Sequence, residues 1–388
     1  MMKQLSIFAC SAVVLAGCDR SGEGPASAET TTSAAPRSDA QPFTVTEIAK
    51  FNEPWAMTFL PDGRLLVTEK KGALKVHTID GETHDVSGVP PVAYAGQGGF
   101  GDVVLHPSFA ENSWVYLSYA EPGEGDTSGA AVARAKLNLQ EQGGGSLSDL
   151  EVIWRQVPKV SGAGHYGHRI AFGPDGYLWI SSGERQKFDP AQDMKSNLGK
   201  IVRLNDDGSV PKDNPFADQG DVAAQVWSLG HRNPLGLAFD AEGRLWNHEM
   251  GPKGGDELNL IEPGANYGYP VVSEGEHYGG QSIPDHKERP EFKEPVVKWV
   301  PVISPAGFII YTGDEFPEWQ GDGFIGGLSS QALLRVEFAG DTAKETERFE
   351  MGQRIREVEQ GPDGAIWILE DEREGSGGRL LKLTAPSS

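Results

Sequence analysis

Cysteine is nearly absent from this 388-residue chain: only Cys10 and Cys18 occur, both ahead of the region that reads as folded. That excludes a disulfide framework and a thiolate-held metal in the core, and leaves packing, with oxygen-ligated ions, as the source of stability. Positive charge is scarce as well. With 34 Lys+Arg against 56 Asp+Glu the formal charge is -22, which repels a phosphate backbone over most of the surface and excludes nucleic acid as a partner. What is abundant is glycine, at 50 residues, and proline, at 26, a turn-rich composition that favours many short strands and argues against a helical bundle. Length alone allows one large domain or several average ones.

At the amino terminus Lys3 precedes an apolar run, Leu5 to Gly17, that falls short of the roughly 20 residues needed to cross a bilayer. It reads as a signal peptide over residues 1–17. The run closes with Leu15-Ala16-Gly17-Cys18, which resembles the bacterial lipobox, so Cys18 is the expected lipidation site and first residue of a lipoprotein. Residues 18–42 are rich in Ser, Thr, Ala, Gly and Pro and read as a flexible tether. The expected location is the periplasmic side of a bacterial membrane, held through the lipid alone. Asp19 directly after the cysteine resembles an inner-membrane retention signal.

From residue 43 to 385 the sequence repeats. Six segments, beginning at Trp55, Gly101, Ile170, Leu237, Gly307 and Val358, each carry a short apolar strand, a turn with Pro, Asp or Gly, and a second strand of alternating apolar residues. Asp-Gly at a tip supplies the positive φ that tight hairpins require, and period-two alternation buries one strand face. Tips roughly 45–75 residues apart suit one four-stranded antiparallel blade per repeat. The predicted fold is therefore all-β, a six-bladed β-propeller. A β-sandwich is the alternative, but it does not call for one hairpin signature six times.

Several residues in these repeats carry chemistry. His165, His168 and His231 lie in glycine-rich loops, where a histidine serves as a base near neutral pH or simply holds backbone. A two-histidine metal site lacks a third ligand. Arg232 and Asn233 precede a proline, which stiffens their loop. Arg354 and Arg356 alternate along a strand and so share a face; in so acidic a chain they suit either a bound carboxylate or salt bridges to Asp and Glu. Around Gly251-Pro252 the glycines let carbonyls converge beside Asp256 and Glu257, a setting for a hard cation or for an ordinary solvated turn.

The runs GQGGFGDVVLHPSF from Gly96, GHYGHRIAFGPDG from Gly164, GHRNPLGLAF from Gly230, GPKGGDELNLIEPGANYGYP from Gly251 and GQRIREVEQGPDG from Gly352 resemble the soluble quinoprotein glucose/sorbosone dehydrogenases, nearest their aldose sugar dehydrogenase branch. The resemblance implies a propeller that binds pyrroloquinoline quinone (PQQ) and calcium and oxidises an aldose at its anomeric carbon to a lactone. It implies His165 as general base and Arg232 as the group that stabilises developing charge. Gln97, Arg232, Asn233, Tyr278, Arg354 and Arg356 match its cofactor-contacting positions. The carbonyls of Gly251 and Pro252 match one calcium site, and Glu257 with the Tyr267 backbone a second. Two departures stand out: the family's blade-five lysine is Ser329 here, and Glu184 stands where an Asp is common. The first points toward weaker quinone binding, or toward a propeller that has lost catalysis and binds a carbohydrate or protein instead. The sugar and the electron acceptor are not named by these motifs.

Overall fold

The computed structural model describes residues 41–386 apart from 79, 142 and 373–376. Cys18, the signal segment and nearly all of the tether lie outside these residues. Among the described residues the α-helix is confined to the single turn Phe109–Asn112, and no helix is long and apolar enough to cross a membrane.

Six four-stranded antiparallel units follow one another, with innermost strands Pro54–Phe59, Phe100–Leu105, Gly167–Phe172, Pro234–Phe239, Pro305–Ile310 and Ile355–Gln360. Each innermost strand packs beside the next and the last beside the first, so the units close into a ring of six blades. The sixth blade is completed by the amino-terminal strand Thr44–Lys50, antiparallel to the carboxy-terminal Arg379–Thr384. Strands from the two ends of the chain share this blade and lock the ring. One departure from separate four-stranded blades occurs. The long strands of the second blade, Thr127–Leu139 and Gly145–Arg155, overhang the first, so that Val86 and Ser87 pair in parallel with Gly145 and Ser146.

The sequence signal for each hairpin has a simple physical origin. At Leu60–Arg64, Gly173–Tyr177, Asp240–Arg244 and Gly361–Ala365 the first N–H of the turn donates to the last carbonyl at 2.7–3.1 Å. The closing glycines, Gly63, Gly176, Gly243 and Gly364, sit at φ between 77 and 85. Only the glycine takes the left-handed conformation; in three of the four turns the residue before it is an aspartate that accepts the N–H two residues on, as Asp62 does from Arg64 at 3.1 Å, and in the fourth Asp240, at the start of the turn, accepts from Glu242 and Arg244.

The core is not central. Apolar side chains pack between neighbouring blades, for example Leu66 and Val76 of the first against Leu117 and Ala133 of the second, and Trp246 and Leu258 of the fourth against Phe308 and Val336 of the fifth. The axis is polar. Arg169, on the third blade, donates from Nε to Leu235 O of the fourth at 2.8 Å, and pairs with Asp102 of the second and Glu357 of the sixth. Its guanidinium lies 4.4 Å from the ring of Trp55 on the first blade.

Arg169→Met should therefore strand two buried carboxylates. Losing one partner of a buried ion network costs about 3–5 kcal/mol, and the expected outcome is a lower urea midpoint with the far-ultraviolet circular dichroism of the folded state retained.

Candidate active site

Hairpin tips join each innermost strand to the second strand of its blade, so loops that precede innermost strands lie at the opposite end. Gln97, His165, Arg232, Asn233 and Arg354 all fall in such loops. Two cavities share this end and meet at Gln186. The outer one, of about 540 Å³, is lined by His165, Glu184, Phe188, Arg232, Tyr269 and Tyr278. The inner one, of about 730 Å³, is lined by Lys70, Gln97, His168, Asn233, Arg354, Arg356 and Asp371.

His165 is 5 % exposed, and its backbone, at φ 50, is held by an N–H bond to Gln97 Oε1 at 2.7 Å. Its Nδ1 is in contact with Glu184 Oε1, and Glu184 Oε2 accepts from the Lys187 and Phe188 backbones at 2.5 and 2.7 Å. Burial pushes the imidazole below its usual 6.5, with the Glu184 bond opposing and the Arg232 charge reinforcing. Burial also works to raise the Glu184 carboxyl, but the His165 bond, the backbone donors and Arg232 carry it below its ordinary value. A neutral ring beside an ionised carboxylate donates from Nδ1 and leaves the Nε2 lone pair available as a base. Glu184, noted in the sequence only as a variation, is thus the group that sets the tautomer.

The backbone on either side of the third blade's first hairpin is strained. Five of the eleven described non-glycine residues at positive φ lie there, His165 and His168 at its start and Arg185, Gln186 and Phe188 just past its end, so the surrounding contacts must hold them. Arg185 does much of that. Buried under Tyr166 at 3.7 Å, it donates to the carbonyls of Gly164 and Ser128 at 2.9 and 2.6 Å and to that of Gly162. Nothing local in the sequence distinguishes this arginine from a surface one.

The other two histidines of the glycine-rich loops have different surroundings. His168 stacks on Tyr166 and meets the edge of Trp55, and burial pushes its ring down to about 3. His231 bridges Ser228 Oγ and Glu249 Oε1, both at 2.8 Å.

Arg232 lines the outer cavity, donating from one terminal nitrogen to Met250 O and Gly251 O at 2.9 and 2.6 Å, while its Nε is buried without a partner. Asn233 lines the inner cavity and accepts from Gly167 N at 3.3 Å. Arg354 and Arg356 do share a face, and there they share one carboxylate: Arg354 Nε lies 2.8 Å and an Arg356 terminal nitrogen 3.3 Å from Asp371 Oδ2. Two guanidiniums on one carboxylate leave net positive charge, and the buried Arg356 Nε is unspent. Such orphaned donors suit an anionic occupant. Tyr278, 76 % exposed, stands at the rim of the outer cavity. Ser329 is exposed, bonded to Val302 O at 3.3 Å, and lies outside the lining of both cavities.

Below Arg232 a small void is lined by Glu249, Gly251, Pro252, Glu257 and Tyr267. Glu249 and Glu257 face each other across neighbouring strands, and Asn259 Nδ2 lies 3.4 Å from each. Burial, and then the Glu249 charge, pushes Glu257 up to about 8. Two buried carboxylates beside converging carbonyls form an all-oxygen donor set that fits a hard dication. Here Arg232 and His286 hold two of those carbonyls, Gly251 O at 2.6 Å and Tyr267 O at 3.0 Å.

One end of the ring of six blades thus gathers a carboxylate-oriented histidine, a buried arginine and a cavity lined by two further arginines. A profile of the glucose/sorbosone dehydrogenase family matches residues 51–382. The chain belongs to this family and is an oxidoreductase of the sugar dehydrogenase class. It is 40% identical to the aldose sugar dehydrogenase YliI of Escherichia coli over 343 residues, 86% of this chain and 91% of that one. Among solved structures it is similar to the apo form of the soluble aldose sugar dehydrogenase of E. coli, with TM-score 0.82, 37% identity and coverage of 89% of this chain and 100% of that chain. It is also similar to the PQQ-bound aldose sugar dehydrogenase of Streptomyces coelicolor, with TM-score 0.71, 30% identity and coverage of 90% and 99%.

The tautomer is directly measurable. With ¹⁵N-labelled histidine, His165 should show a protonated Nδ1 and a bare Nε2 from pH 7 to 9; Glu184→Gln should remove that preference, and a protonated Nε2 in the parent would contradict the assignment of the base.

Proposed function

We propose that this protein oxidises an aldose at its anomeric carbon to the lactone, with PQQ in the inner cavity and calcium in the void beneath Arg232. The observation that carries this reading is His165: a neutral, carboxylate-oriented imidazole with no partner recorded at Nε2, lining a sugar-sized outer cavity that meets a cationic inner one at Gln186. PQQ, a planar tricarboxylate, supplies a two-electron hydride acceptor when bound. Arg354, Arg356, Gln97 and Asn233 are the side chains that would hold it, and Gly251, Pro252, Glu257 and Tyr267 the calcium donors. The PQQ-bound state of the S. coelicolor relative supports the choice of quinone by likeness.

The work of this chain's own residues follows from their positions. His165 Nε2 takes the proton of the anomeric hydroxyl as the C1 hydrogen leaves with its electron pair, so the sugar loses two electrons and two hydrogens in all. Glu184 keeps the ring aimed and stabilises the imidazolium that forms. Arg232, held by the Met250 and Gly251 carbonyls, presents its unspent Nε as a donor for negative charge developing on an oxygen. Phe188, Tyr269 and Tyr278 offer apolar faces to the sugar ring and exclude water.

His165→Gln should keep quinone binding and lose about 10²–10⁴-fold in turnover, the usual worth of a general base; steady-state aldose oxidation after reconstitution measures it, and activity within a few-fold of the parent sinks the assignment. The kcat/KM of the parent should rise with pH through a His165 pKa below 6.5 and level off above it, because the base works only unprotonated. Chelation and gel filtration should yield an inactive protein that regains activity only with calcium and quinone together, with each ligand tightening the other in calorimetric titration. Cys18, read from the sequence as the lipid anchor, should release the protein from membranes as Cys18→Ser on fractionation.

A further inference from the structure

Lys200 opens the third strand of the third blade, Lys200–Leu204, and its side chain is fully buried. A buried lysine is ordinarily paired with a carboxylate. Here the partners are three backbone carbonyls: Nζ donates to Pro190 O at 2.8 Å, Ala191 O at 3.0 Å and Leu198 O at 2.8 Å, and among the described residues no carboxylate lies within ion-pair distance. Three acceptors match the three N–H donors of an ammonium, while burial, opposed by the Asp193 charge, works to lower its pKa.

These carbonyls belong to the turn Asp189–Ala191 and to the residue two before the strand, so the amine closes the loop that begins at Phe188. That turn joins three parts of the outer cavity. Phe188, in the lining, immediately precedes it, and its carbonyl accepts from Ala191 N at 3.1 Å. Ala191 O, besides Lys200, accepts from Gly230 N at 3.0 Å, at the head of the loop that carries Arg232. Gln192 Nε2 donates to Tyr269 O at 2.8 Å and to Asn266 Oδ1 at 3.0 Å, and Asn266 Nδ2 returns a bond to Gln192 Oε1 at 2.7 Å. The junction is tightly filled: a Cβ added at Gly230 would lie 2.2 Å from Asn266 Oδ1, and one at Gly199 would lie 2.6 Å from Ala191 Cβ.

The reacting groups are held by other bonds. His165 takes its place from Gln97 and Glu184, and Arg232 from Glu249 Oε2 and the Met250 and Gly251 carbonyls. What depends on the turn is the aromatic wall, Phe188 and Tyr269, whose ring centroids lie 6.4 Å apart. We propose that Lys200 is a positioning residue for the aldose: through the 189–192 turn it sets the spacing of Phe188 and Tyr269, and so acts on sugar binding rather than on the chemical step. This rests on the reading of the outer cavity as the sugar site.

The test is steady-state aldose oxidation by the full chain reconstituted with calcium and PQQ, with calorimetric titration of the quinone alongside. Lys200→Met should raise KM about 10-fold, the scale of one lost charge-assisted hydrogen bond, while kcat and the Kd for PQQ stay within threefold of the parent. A KM within threefold of the parent, or a loss of kcat and PQQ affinity in step with the rise in KM, overturns the proposal and leaves the sugar-oxidation reading standing. Gln192→Leu keeps Lys200 and cuts the bond to Tyr269 O; it should shift KM in the same direction, again with kcat and PQQ affinity held. That variant decides the matter if Lys200→Met does not fold, and an unchanged KM in it overturns the proposal. Absence of aldose oxidation in the reconstituted parent overturns both readings.

Discussion

A propeller has no central apolar core, so something polar must register its blades at the axis, and here that is the guanidinium of Arg169. From the third blade it reaches the fourth through Leu235 O, the second through Asp102, the sixth through Glu357 and the first through the face of Trp55. Five donors in a rigid plane allow one side chain to satisfy partners in several directions, which a lysine does not do. Asp102 in turn accepts the backbone N–H groups of Val103 and Ile170 at 2.9 Å, tying the same network to the strand next to Arg169. His168, one residue earlier, and His165, at the head of the loop, take their positions from this anchored strand.

The site above depends on that registration. Its inner cavity draws residues from the ends of all six blades, and a shift of one blade separates groups that act together. The strained backbone of 165–188 is affordable because Arg185, Glu184 and Gln97 over-determine it. The result is a grouping of like tasks: His165 with Glu184 at the outer cavity, Arg354 and Arg356 at the inner one, and Glu249 with Glu257 at the void beside Arg232.

Electrostatics reinforces this order. The acidic surface carries no preference for an anion, yet the inner cavity gathers Lys70, Arg354 and Arg356 around Asp371. Field from a few partly desolvated cations outweighs a diffuse and screened surface charge of the opposite sign. The same reasoning explains why Glu249 and Glu257 tolerate each other: His231 and the Arg232 N–H hold one, and the other is pushed toward its protonated form.

The fold was legible because each blade repeats a local chemical signal. Alternating apolar residues and a glycine closing a three-residue turn are properties of neighbours in sequence, and they mark strands and tips without knowledge of the rest. His165, Arg232, Arg354 and Arg356 were legible for a related reason, since they sit in glycine-rich or alternating motifs. The sequence by itself therefore determined an all-β chain of six hairpin repeats and a set of motif-borne polar residues at the loops. Only the tertiary structure decided what those residues meet. That Glu184 orients His165, that Asp371 is shared by two arginines, that Arg185 clamps the loop, that Lys70 enters the cavity and that Ser329 does not, all depend on which loop ends ring closure brings together. Burial and charge pairing act through space between residues far apart in sequence, 188 positions in the case of Arg169 and Glu357, and no local pattern encodes that distance.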